Sequence, residues 1–188
     1  MKSNILRPAI FFGLLFGAIM ILEFFTFKNL DVDSVKNSAL ATISNLFNYI
    51  VFPVGFILLS VFRFKNKYNQ GYISFSEVLR IGVATTAIAA LVLGLFSYFY
   101  YNYISPEFID QTIEKMRELS LLQRQEMLQK GATEIKSIED IEQQLVGARA
   151  SMKSFFSVAV TIVLYSVIGI VSSIIIAAFI KKDNNKYI

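Results

Sequence analysis

The 188-residue chain is 55% hydrophobic, above the roughly 45 to 50% of an ordinary soluble domain, and its apolar residues come in blocks. It contains neither Cys nor His, which excludes disulfides, thiolate metal sites, thiol nucleophiles, imidazole bases, Ser-His triads, His-ligated haem and the usual catalytic zinc. The net charge of +4 matters through its placement, because nine of the eighteen Lys and Arg residues lie in the N-terminus, in 63–80 and in the C-terminal tail.

Three stretches, 37–62, 81–106 and 154–180, carry no charged residue, and a fourth, 8–27, is broken only by Glu23. Each is long enough to cross a hydrocarbon core of roughly 30 Å as a helix. The predicted fold is all-α: one membrane domain with transmembrane helices at about 8–27, 38–62, 77–103 and 154–180. Lys2 and Arg7 ahead of the first apolar run give it the look of a signal peptide, but Phe24, Phe25 and Phe27 stand where cleavage needs small residues, so a retained span is expected.

The first span starts at Pro8, a favourable first-turn position, and places Gly13 and Gly17 one turn apart on one face, which predicts close approach to another helix. A short polar connection, 28–36, leads to the second span. Its outer half is polar, with Thr42, Ser44, Asn45, Asn48 and Tyr49, and Pro53 is predicted to kink it near mid-membrane, just before Gly55. A basic segment with Arg63, Lys65, Lys67 and a turn at Gly71 follows, and Ser74 or Ser76 is expected to cap the third helix.

Gly82, Thr86, Ala90 and Gly94 recur every fourth residue along the third span, a stripe that lets a neighbouring backbone come close where lipid offers no hydrophobic drive. Its far end, 98–103, is rich in Tyr and Phe and suits a membrane interface. The segment 104–153 is patterned rather than disordered. Ser105-Pro106-Glu107 signals a helix start, and Ile109, Ile113, Met116 and Leu119 then recur at helical spacing, with Leu122 extending the face toward Met127.

Gly131 is a stop signal, and Ser137-Ile138-Glu139-Asp140 starts a second helix carrying Ile138, Ile141 and Leu145, expected to run on into the fourth span. An amphipathic helical hairpin is therefore predicted between spans three and four. The fourth span repeats the small-residue spacing at Gly169, Ser173 and Ala177.

Both chain ends and the 63–80 segment carry the concentrated basic charge, against two Lys in the first connection and seven bases in 104–153. The positive-inside bias then places both termini in the cytoplasm and the hairpin outside it, as in a multi-pass protein of a bacterial inner membrane. The Gly71-Tyr72-Ile73-Ser74-Phe75-Ser76-Glu77 approach to the third span, and Phe96-Ser97-Tyr98 running into Tyr103-Ile104-Ser105-Pro106-Glu107-Phe108, carry a resemblance. On these residues the chain resembles a small four-span membrane family common in Bacteroidota, catalogued as domain of unknown function 4199. The resemblance covers nearly the whole chain and implies a multi-pass inner-membrane protein, with no substrate, cofactor or catalytic residue to carry over.

Candidate functional residues are few. Glu23 is the ionisable residue inside an apolar run, and a charge near the membrane centre costs about 2.5 kcal/mol or more. It is either an ion or proton ligand or, as we expect, a group that reaches the interface or pairs with Lys28. Glu77 and Arg80, three apart, either bind a charged solute or, as expected, form a structural same-face ion pair. Asn45 and Asn48 either line a cavity or, as expected, hydrogen-bond to other helices. No catalytic, cofactor-binding or metal residue is expected, and nothing points to nucleic acid. The expected partners are the lipid bilayer and, through the hairpin, an extracytoplasmic protein or a second copy. The leading expectation is a non-enzymatic structural or interaction role, and the alternative is a small transporter or channel component.

Overall fold

The computed structural model describes residues 5–29, 38–132 and 135–180. The connection at 30–37, Lys2, and the tail residues Lys181, Lys182 and Lys186 lie outside the described residues. Four helices are long and apolar enough to cross a membrane: Leu6–Lys28, Thr42–Tyr68, Phe75–Ile104 and Phe156–Ile180. The first lies within α1 (Leu6–Asn29) and the last is α7 (Phe156–Ile180). Span two joins α2 (Ser38–Leu46), a π-helical turn (Phe47–Val51), α3 (Phe52–Arg63) and a second π turn (Phe64–Tyr68). Span three is α4 (Phe75–Phe99) continued by a π turn (Tyr100–Ile104). Its 30 residues rise about 45 Å, so an upright crossing leaves its aromatic end at or beyond the headgroups.

Lipid as the solvent explains the surface. Val163, Leu164, Val167, Val171, Ile175 and Phe179 of α7 are exposed, an arrangement a water-soluble helix would not tolerate. α4 is the hub, packing most extensively on α7 and then on α1, while α3 leans on all three. The close approaches give the directions. Gly13 faces Ile88 and Gly17 faces Val92, so spans one and three run parallel. Gly82 faces Ser173 and Gly94 faces Val158, so span four returns antiparallel. One buried cluster gathers Ile57, Val61, Val78, Ile81 and Ile176, with Ile5 and Ile180 packed against it, so the first and last described helices begin and end at the same pole. A second cluster, Phe16, Met20, Phe56, Ala89, Ala90 and Tyr165, fills the bundle farther along.

The small residues sit at these crossings. A Cβ on Gly13 would come within 2.8 Å of Ile88 Cβ and of the Thr85 carbonyl, and one on Gly17 within 2.8 Å of Val92. Gly169 lies against Thr86 and the Gly82 carbonyl, and Ala90, Ser173 and Ala177 are buried. Ser60, Thr85 and the Pro8 carbonyl add a polar link through α3, α4 and α1, with Thr85 Oγ1 3.0 Å from Ser60 Oγ.

Four local readings are refined by the structure. At Pro53 span two stays helical, with Leu46, Val51 and Phe52 in the right-handed region and the turn before the proline widened. Phe52 N–H bonds to the Phe47 carbonyl five residues back, which absorbs the missing donor and the ring's clash with the preceding turn. Span two runs past its expected end at 62, because Phe64–Tyr68 continues the helix and leaves the turn to Gln70 and Gly71, at φ 52° and 86°. The hydroxyl of Ser105 does not cap a backbone N–H; it donates to the Glu107 carboxylate at 2.6 Å. The helix starting after Ser137 ends at Lys153, and extended backbone at Ser154 separates it from α7.

Candidate functional site

Glu23, Ser44 and Asn48 of the first two spans converge in one place. Glu23 lies two turns before the end of α1 and is half-buried. Ser44 Oγ donates to Glu23 Oε1 at 2.9 Å, and Asn48 Nδ2 donates to the same oxygen at 3.2 Å. Asn48 Nδ2 also lies 3.3 Å from Ser44 Oγ. Ser44 and Asn48 are four apart, so one face of span two presents both to α1. Asn48 Oδ1 is buried and has no partner among the described residues. The ring of Tyr165, nearly buried on α7, packs beside Tyr49 at 6.1 Å and closes this side of the bundle against Phe16.

The expected pairing of Glu23 with Lys28 is therefore replaced. Lys28 turns the other way, bonding the Tyr100 hydroxyl with its ammonium 5.0 Å from that ring's centre and 5.5 Å from Phe108's. Asn45 is exposed and takes no part in the cluster. Glu77 and Arg80 form no ion pair among the described residues. Glu77 serves the start of α4, accepting from the Ser74 N–H at 2.9 Å while Ser74 Oγ accepts from the Glu77 N–H at 3.3 Å, a reciprocal cap reinforced by Asn69. That use of Glu77 was readable from the Ser-x-x-Glu spacing. Ser44 carried no such signal, since a serine in an apolar helix is ordinary.

The second feature is the arm formed by α5 (Glu107–Gln129) and α6 (Ile138–Lys153). Asp110 pairs with Arg149, Arg117 holds Glu142 through two bonds of 2.9 and 2.8 Å, and Arg124 donates to the Lys136 carbonyl, so the helices run antiparallel. Ile109, Ile141 and Leu145 are buried between them or at the base. Lys130 and Gly131 end α5, with Gly131 at φ 73° and its N–H bonded to the Leu128 carbonyl while Ala132 N–H reaches Met127. Ser137 and Asp140 form the reciprocal cap that starts α6. The Ser137 hydroxyl and N–H hold the Asp140 carboxyl below its ordinary range, and Ser105 does the same for Glu107. Glu142 and Glu114 push the Arg117 guanidinium up.

The arm is fastened at its base. Phe108 stacks on Tyr101 with centroids 6.1 Å apart and meets Phe24 and Tyr100 edge-on, and Asn102 Nδ2 donates to the Lys153 carbonyl at 3.3 Å. Its main contacts with the bundle are with Tyr100–Ile104 and the beginning of α7. Toward the tip, Leu122, Met127, Leu128 and Ile138 are each about half exposed, beside a cleft bounded by Ser120, Arg124, Met127 and Gln144. At 1.5 Å per residue, the 23 residues of α5 carry that tip about 35 Å from the base.

No curated protein and no solved structure gives a match to this chain. One family model does, over residues 11–182, a span that takes in most of the first membrane helix, the other three, the Glu23 cluster and the arm. The chain belongs to the family described as Protein of unknown function (DUF4199).

Proposed function

We propose that this integral membrane protein is an anchored interaction module: the four-span bundle holds the α5–α6 arm outside the cytoplasm, where the arm's tip binds a second protein. The observation that carries this reading is the arm's construction. It is a pair of antiparallel helices joined by ion pairs, bound to the bundle at the base, that leaves Leu122, Met127, Leu128 and Ile138 half exposed at the far end. Loops of this length inside compact domains are usually functional or self-structured, and this one folds on itself without covering the bundle. Basic side chains at the opposite pole, Arg63, Lys65, Lys67 and Arg80, support a cytoplasmic assignment of that pole and an inner-membrane location.

A photo-crosslinking residue placed at Met127 or Ile138 tests the proposal in intact cells. A discrete adduct with a different protein, lost on deleting residues 107–144 while membrane insertion persists, is the expected result. An adduct with a second copy alone would make the arm a self-association device, and no adduct at either position would contradict the proposal.

A second reading, a small transporter or channel component, is favoured by the Glu23–Ser44–Asn48 cluster inside the spans. Solute flux in reconstituted vesicles, lost on Glu23→Gln, is the result it requires.

A further inference from the structure

We propose that Glu23, Ser44 and Asn48 form a binding site for a small monovalent cation of the sodium class, set between spans one and two in the outer half of the membrane. The inference is independent of the arm and requires no transport. It starts from an imbalance of donors and acceptors. Glu23 brings a carboxylate into a membrane helix, and one of its oxygens already takes both the Ser44 hydroxyl and the Asn48 amide N–H. The amide's own oxygen, Asn48 Oδ1, is buried and unpartnered beside it. A buried acceptor left without a donor is costly, and an anion at this depth is costlier. One positive ion answers both.

The backbone is irregular at the same point. Pro53 has no N–H to offer the turn before it. The π-helical turn Phe47–Val51 lies at this point, and π turns within helices recur at functional sites.

The chemistry of the donor set names the ion class. Carboxylate, amide carbonyl and hydroxyl are all hard oxygens, which select against soft transition metals. A single carboxylate balances a single positive charge. Divalent ions such as calcium call for more acidic ligands, and among the described residues the ionisable neighbours of the cluster are the phenols of Tyr49 and Tyr165. Lys28, which would compete as a tethered cation, is held by Tyr100.

The test is the thermal unfolding of the purified full-length protein in detergent, titrated with sodium chloride against choline chloride at constant ionic strength. Sodium is expected to raise the melting temperature saturably, by about 5–10 °C at a hundredfold excess over its dissociation constant. Glu23→Gln, which keeps the side chain's size and its acceptor oxygen, is expected to abolish the rise. If that variant fails to fold, Asn48→Asp keeps the proposal open to test, because a second carboxylate is expected to make calcium stabilise the protein where it does not stabilise the wild type. Equal effects of sodium and choline, a sodium response retained in Glu23→Gln, or stability that follows pH alone, with Glu23 neutralised by a proton, would each overturn the proposal.

Discussion

The crossing of α4 and α7 offers a sharp numerical test, because one contact sets the sign of two substitutions and of their combination. A Cβ built on Gly82 overlaps Ser173 Oγ and lies 3.1 Å from Ser173 Cβ and 3.2 Å from Ile57 Cγ2. Gly82→Ala should therefore cost about 1–3 kcal/mol in overpacking, offset by about 1 kcal/mol of helix propensity, for a net destabilisation of roughly 0–2 kcal/mol. Ser173→Ala removes a buried hydroxyl that has no hydrogen-bond partner among the described residues. It should be neutral or stabilising, by up to about 1 kcal/mol, because an unsatisfied buried polar group costs at least that much. In the double variant the overlapping atom is gone and the remaining neighbours must yield only a few tenths of an ångström. The coupling between the two sites should then be favourable by about 1 kcal/mol or more. Reversible unfolding in mixed micelles measures all four corners of the cycle. Gly147→Ala in α6 is the control, since a Cβ there meets nothing within 4 Å and should stabilise by about 1 kcal/mol. Additivity within about 0.5 kcal/mol for Gly82 and Ser173 would refute the assigned contact.

Three further outcomes follow from the arm and its base. Tyr100→Ala empties a fully buried position among Phe24, Phe96 and Phe108, and should cost about 3–5 kcal/mol while raising the mobility of a spin label at Met127; an unchanged label spectrum would contradict the base contact. Ser137→Ala should destabilise α6 by about 1 kcal/mol, read as faster hydrogen exchange through its first turn. Asp140 and Glu107 have carboxyls held below their ordinary values of 3.8 and 4.5, so they stabilise the folded arm at neutral pH, and that share is lost as pH falls through the lowered folded values. Asp140→Asn should flatten the acid limb of arm unfolding, followed by limited proteolysis, and an identical acid limb would contradict the assignment.

How far the fold could be read from the chain depended on how local its cause is. A hydrocarbon slab of fixed thickness demands uncharged stretches of a minimum length, so the four spans and the all-α class were legible from composition alone. The caps at Ser74 and Ser137 and the stop at Gly131 were legible for a similar reason, since each is written in three or four adjacent residues. Pro53 announces a missing donor but not how the chain accommodates it. Part of the accommodation is the π turn Phe47–Val51, whose residues carry no mark of one. The partner of Glu23 was hidden for another reason. Ser44, Asn45 and Asn48 cover an arc of about 100° around their helix, and only the docking of span two on α1 decides which of them turn inward. Lys28 illustrates the same limit: five residues from Glu23, it finds its partners seventy residues on, in rings that were readable as an interfacial belt and not as a clamp on the arm.

The central claim is that four crossings hold the α5–α6 arm on the side of the membrane opposite the turn between spans two and three. Because the chain has no cysteine, single substitutions report topology without background. With a membrane-impermeant maleimide applied to intact spheroplasts, Met127→Cys at the arm's tip should be labelled, while Gln70→Cys in the turn should react only after permeabilisation. Labelling of both positions, or of Gln70→Cys alone, would contradict it.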